Sequence, residues 1–163
     1  MEQTNLEYQD FFTNVANEYK DFVSKAHELV LASGYSKISV GSNKSALFKV
    51  KYTHPKTRRG IINFTQQKKG LKATILAGKC AEYPDVLDTM PEAMVGKVAK
   101  VGNCLNISEP GKCMDKCVGY DFHIRGERYQ KCKFGCFQFD VNDESIPFLL
   151  EMLECELAAR QAA

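Results

Sequence analysis

The stretch Ser45-Ala46-Leu47-Phe48-Lys49-Val50-Lys51-Tyr52 decides the architecture. Ala46, Phe48, Val50 and Tyr52 fall on one side of an extended chain, and Leu47, Lys49 and Lys51 fall on the other. That period of two is the mark of a strand with one buried face. Ser36–Val40 reads as a short strand before it, and Ile61–Thr65 and Leu71–Leu76 as strands after it. Leu71, Ala73 and Ile75 continue the apolar face, while Lys72 and Thr74 point away. The connections, His54–Gly60 and Gln66–Gly70, are too short for helical crossovers, so the strands form an antiparallel meander with one wet face.

Such a sheet needs a cover on its apolar side. Tyr8, Phe11, Phe12, Val15, Tyr19, Phe22, Val23, Ala26, Leu29 and Val30 recur at three- and four-residue steps, which predicts one long amphipathic helix. Ser33-Gly34 ends it, with Gly34 in the left-handed conformation. Tyr83–Leu87 and Pro91–Lys100 read as short helices. Asn142 to Ser145 supply N-caps for a last helix with a stripe of Ile146, Leu149, Leu150, Leu153 and Leu157. The fold class is therefore α+β, an antiparallel meander covered on one face by helices, with a cysteine-rich β-hairpin and a C-terminal helix. The 163 residues suit one domain, in which 103–163 (hairpin and last helix) pack onto 1–102 (helix and sheet).

The N-terminal Glu2-Gln3-Thr4-Asn5 lacks the basic and apolar runs of a secretory signal, which predicts a cytoplasmic protein with no membrane association. Reduced thiols are the rule in that compartment, so clustered cysteines favour metal or redox chemistry over disulfides. Five of the seven cysteines lie between positions 104 and 136. Cys113/Cys117 and Cys132/Cys136 are matched C-x3-C pairs around a hairpin in which Tyr120, Phe122 and Ile124 alternate with Asp121, His123 and Arg125. Gly126-Glu127 turns that hairpin. Two chelating pairs suit a tetrahedral thiolate site with Zn–S distances of about 2.3 Å, so these four are the candidate ligands of a structural zinc. Lys112, Lys116, Lys131 and Lys133 would offset the thiolate charge.

Other readings stay open at this point. The thiols are reduced, form disulfides on oxidation, or serve an iron–sulfur or redox role. Cys104 either replaces one of the four ligands or stands nearby as a reactive thiol. Cys80 and Cys155 read as small buried hydrophobes. His123 is a substitute ligand or a solvated side chain, and His27 and His54 read as surface residues.

Charge is unevenly distributed. No Asp or Glu occurs from Leu29 through Ala81, a stretch that holds eleven of the 22 basic residues. Lys49, Lys51 and Lys72 on the wet face, with Arg58, Arg59, Lys68 and Lys69 at the turns, form a basic surface, and Lys49, Lys51, Arg58, Arg59 and Lys72 are its candidate anion-binding residues for an anionic ligand or an acidic protein. The alternative is a solvated face on which lysines protect the strands. Phe48, Tyr52 and Phe64 fall on the apolar side, leaving no stacking platform for single-stranded nucleic acid. No GxGxxG, Walker-type phosphate loop, HExxH or GxSxG occurs.

The runs Leu47–Thr53, Lys69–Leu71, Tyr83–Asp88, Gly119–Phe122 and Tyr129–Cys136 resemble a family of small cysteine-containing proteins of clostridial-type bacteria. No activity is established for that family. Similar cysteine-containing tails occur near the effector regions of transcription regulators. The layout of helix plus meander is similar to the YdhG/YjbR-type α+β domains, which implies fold alone. The function expected from the residues is a non-catalytic binding or regulatory module with a structural zinc. A thiol-dependent or redox enzyme using Cys104, Cys132 or Cys136 is the competing class, and a weak, non-specific nucleic-acid binder the third.

Overall fold

The computed structural model describes residues 7–109, 111–114 and 117–162. Strands β1 (Lys37–Gly41), β2 (Phe48–Thr53), β3 (Gly60–Gln67) and β4 (Gly70–Ile75) pair antiparallel in chain order, as the alternation predicts. Phe48, Val50 and Tyr52 are buried and Lys49 and Lys51 exposed. Leu71, Ala73 and Ile75 are likewise buried on β4. A fifth strand, β7 (Gln138–Asp140), pairs with β4 and completes the order β1-β2-β3-β4-β7. Sequence reading missed it, because three residues with one buried side chain, Phe139, give almost no periodic signal. Its consequence is large: it covers the β4 edge and binds the C-terminal third of the chain into the main sheet.

The long N-terminal helix is two helices, a correction to the sequence reading. α1 (Tyr8–Asn14) and α2 (Asn17–Ala32) are separated by Val15 and Ala16, both extended with ψ of 135° and 139°. A straight helix over this stretch would run about 37 Å, whereas an eight-residue strand spans roughly 27 Å. The break lets Phe11 and Val15 stay on the core side together with Phe22, Val23, Ala26 and Val30. Phe11 stacks on Phe64 at 5.7 Å, and Phe22 meets the same ring edge-on at 6.1 Å. Gly34 ends α2 at φ +93°, with Tyr35 N–H bonded to Val30 O and Gly34 N–H to Leu31 O, the two bonds of a Schellman cap.

After β4 come a single 3-10 turn (Cys80–Glu82), α3 (Pro84–Leu87), α4 (Glu92–Lys100) and a one-turn α5 (Leu105–Ser108). The hairpin β5 (Tyr120–Ile124) and β6 (Glu127–Lys131) follows. Its turn residues are Arg125 and Gly126, at φ +50° and +83°, one position earlier than Gly126-Glu127. Both positive angles match a two-residue loop of the primed type. Arg125 is held there by Asp88, whose side chain accepts its N–H at 2.6 Å, by Met90 O at 2.8 Å, and by an ion pair with Glu92. The last helix, α6 (Ser145–Ala162), is capped by Asn142, whose Oδ1 accepts the N–H groups of Glu144 and Ser145. Phe148, Leu149, Met152, Leu153 and Leu157 bury its apolar stripe in the same core as Phe122, Phe137 and Phe139.

A basic sheet face with its cleft, and a divided cysteine segment

Antiparallel register places directly opposed residues on one side of the sheet. Lys49 opposes Thr65, Thr65 opposes Lys72, and Lys72 opposes Asp140, so one polar row crosses four strands. A second row runs Ser39, Lys51, Asn63, Thr74 and Gln138 across all five. This face carries no aromatic ring among the described residues. Lys49, Lys51 and Lys72 are thus brought together as the alternation predicts. Arg58 and Arg59 lie beyond the opposite end of β2, in a loop built on His54, whose Nδ1 accepts the N–H groups of Lys56 and Thr57.

At the Lys49–Lys72 end the face opens into a cleft of about 1180 Å³. Lys44 from the β1–β2 loop, Lys68 and Lys69 from the β3–β4 turn, and Lys72 line it, with Glu18 and Asp140 as its carboxylates. Asp140 is already paired with Lys97 at 3.2 Å. Gln66 also lines the cleft, and its Oε1 is shut off from solvent with no hydrogen-bond donor among the described residues. Lys44 is the member that sequence reading left unplaced. It stands outside the alternating run, and only the folded loop brings it opposite the β3–β4 turn.

The candidate zinc ligands lie in contrasting surroundings. Cys113 is exposed, Cys117 buried, Cys132 half-buried and Cys136 buried in the core. Among the described residues, no three His, Cys, Asp or Glu side chains converge closely enough to hold a metal. Burial pushes the Cys136 thiol well up, with Cys80 beside it adding to the shift. Cys80 is pushed up to about 12 by its own burial and by the Glu156 carboxylate. Cys117 is raised by burial, with Lys133 opposing and the thiol of Cys113 hydrogen-bonded to it.

Lys131 opposes the upward shift of the Cys136 thiol while its ammonium group is held by oxygens of the chain. Its Nζ donates to Ala99 O, Val101 O and Asn103 Oδ1 at 2.9–3.2 Å, closing the C-terminal end of α4. Lys112 pairs with Glu109 at 2.6 Å, and Lys116 lies outside the described residues. Cys80 is buried as expected, and Cys155 packs partly buried against the core. His123 is exposed. His27 is no plain surface residue: it is half-buried, shares a 2.8 Å hydrogen bond with Tyr52 Oη and stacks on Tyr8 at 4.1 Å.

No protein-family model, curated protein or solved structure matches this chain. Among the described residues no helix is long and apolar enough to cross a membrane.

Proposed function

We propose that this protein is a non-catalytic binding module that takes an anionic ligand on the open face of its sheet and in the adjoining cleft. The observation that carries the reading is the convergence of Lys44, Lys68, Lys69 and Lys72 on one concavity, with Lys49 in the same cross-strand row as Lys72. Four ammonium groups around a hollow raise the local concentration of anions, and each contact releases counterions on binding. The sheet face carries no aromatic ring among the described residues and Tyr19 is the one ring lining the cleft, so recognition rests on charge and shape more than on stacked bases. In the same reading, a thiolate-bound zinc in the 104–136 segment is structural.

Titration with tripolyphosphate, followed by amide chemical shifts at low and at about 200 mM salt, tests the ligand reading. Shifts confined to the Lys44, Gln66–Lys72 and Lys49 neighbourhood, weakened by salt and removed by Lys68→Glu/Lys72→Glu, are expected. Shifts that survive the double reversal, or that gather at Arg58 and Arg59, overturn it.

A further inference from the structure

We propose that Cys113 and Cys117 are a reversible thiol–disulfide pair, a modification site that takes a low-molecular-weight disulfide as its oxidant. The pair belongs to the chain free of metal and stands apart from both the anion and the zinc readings above.

A disulfide needs two sulfurs brought together by the backbone that carries them, and its oxidant needs a way in. The stretch Cys113-Met-Asp-Lys-Cys117 meets both conditions. Cys117 N–H bonds Met114 O at 2.9 Å, which sets the second cysteine beside the residue that follows the first. Asn106, in the one-turn helix α5, clamps both ends of the stretch. Its Oδ1 accepts Cys113 N–H at 3.1 Å, and its Nδ2 donates to Met114 O at 2.9 Å and Cys117 O at 2.8 Å. Both polar atoms of that carboxamide are thus committed to this stretch, and both cysteine backbones hang on it. The thiols meet as a result: the Cys113 and Cys117 side chains are hydrogen-bonded to each other.

Burial sets the order of events. Cys113 is exposed, and Met114 beside it is 68% exposed, so a small disulfide reaches the Cys113 sulfur from solvent. Cys117 is buried at 7% and receives its partner from within. Cys80 and Cys136, at 2% and 1%, are closed to the same reagent.

The chemistry is thiol–disulfide exchange in two steps. Cys113 gives its proton to the buffer, and its sulfur attacks one sulfur of glutathione disulfide. The S–S bond of the reagent breaks, and one glutathione leaves as a thiolate that takes up a proton. Cys117 then loses its proton and attacks the Cys113 sulfur. The Cys113–Cys117 bond forms as the second glutathione leaves and is protonated. Two protein thiols are oxidised and one glutathione disulfide is reduced to two molecules of glutathione. The second step joins groups already in contact, so the mixed disulfide is short-lived.

The test uses the full chain, reduced and treated with chelator so that no ion shields the thiols. It is exposed to glutathione disulfide under native conditions, quenched with N-ethylmaleimide and digested with trypsin. Cleavage after Lys112, Lys116 and Arg125 separates the two cysteines, so the bridge joins peptide 113–116 to peptide 117–125. That joined pair is expected, with two of the seven thiols lost and both restored by dithiothreitol. In Cys117→Ser the reaction should stop at a glutathione adduct on Cys113. In Asn106→Ala, with circular dichroism unchanged, the same adduct should outlast that of the parent because ring closure slows. A parent chain that retains the adduct overturns the proposal, as does one that bridges either cysteine to Cys104 or Cys132 instead. So does a native chain that keeps all seven thiols where the urea-unfolded chain oxidises, or an Asn106→Ala chain that closes as fast as the parent.

Discussion

The Glu156 carboxylate accepts a hydrogen bond from the Tyr83 hydroxyl at 2.7 Å, deep in the core, where Glu156 is fully buried. Both carboxylate oxygens also meet the Lys79 N–H at 3.2 Å, and Arg160 Nε reaches Oε1 at 2.9 Å. Arg160 passes the link onward to Tyr35 Oη, Gly60 O and Leu76 O. Through this pair α6 is bolted to the end of α2, the start of β3, the exit from β4 and the turn before α3. Removing one partner of such a buried pair strands the other charge. Glu156→Gln is therefore expected to cost about 3–5 kcal/mol, and Tyr83→Phe about 1–3 kcal/mol, read from urea unfolding. A Glu156→Gln protein as stable as the parent would show that the network is dispensable.

His27 gives the fold a pH dependence. Burial lowers its pKa, with the nearby Glu28 carboxylate opposing weakly, so the folded state favours the neutral ring bonded to Tyr52. As pH falls through about 6.5 the unfolded chain takes up its proton first. Stability is then lost progressively down to the depressed folded value. Urea midpoints at pH 7.5 and 5.5 should differ in that direction, and His27→Gln should narrow the gap. An equal gap in the variant would assign the effect to other groups.

Thiol reactivity in the metal-free folded protein should divide by burial. Cys113, exposed, reacts with iodoacetamide first. Cys80 and Cys136, whose thiols burial keeps protonated, react only when the chain unfolds. Peptide mapping after brief labelling checks this. Native labelling of Cys136 at the rate of Cys113 would contradict its place in the core.

Two glycine substitutions should move stability in opposite directions. A methyl at Gly119 would lie 2.5 Å from Cys104 Cβ and 2.7 Å from Lys131 O, so Gly119→Ala is expected to cost about 1–3 kcal/mol. Gly96 lies inside α4 with nothing within 4 Å of an added Cβ. Gly96→Ala should stabilise by about 0.5–1 kcal/mol. Thermal melts of both variants decide, and a neutral Gly119→Ala would mean that the hairpin end relaxes freely.

Period-two alternation in Phe48–Tyr52 and Leu71–Ile75 was enough to place the meander, its buried face and the lysines of its open face, because each strand carries its own inside and outside. The stop at Gly34 was legible for the same local reason: only the residues of one turn decide it. The break at Val15-Ala16 was not, since either conformation keeps the apolar spacing and the span of the sheet decides between them. Strand β7 depends on the free edge of β4, about 65 residues earlier in the chain. The cleft depends on Lys44 meeting a distant turn, and the buried Glu156 on Tyr83 and Lys79 waiting opposite it. Spacing paired Cys132 with Cys136 along the chain, but that Cys136 is buried beside Cys80, and that Gly119 makes room for the Cys104 sulfur, depends on the packing around them. Composition and local pattern set each element and the identity of its faces. Which distant side chains met was left to packing, because long-range contacts are chosen by the shape and charge of whatever surface the fold presents.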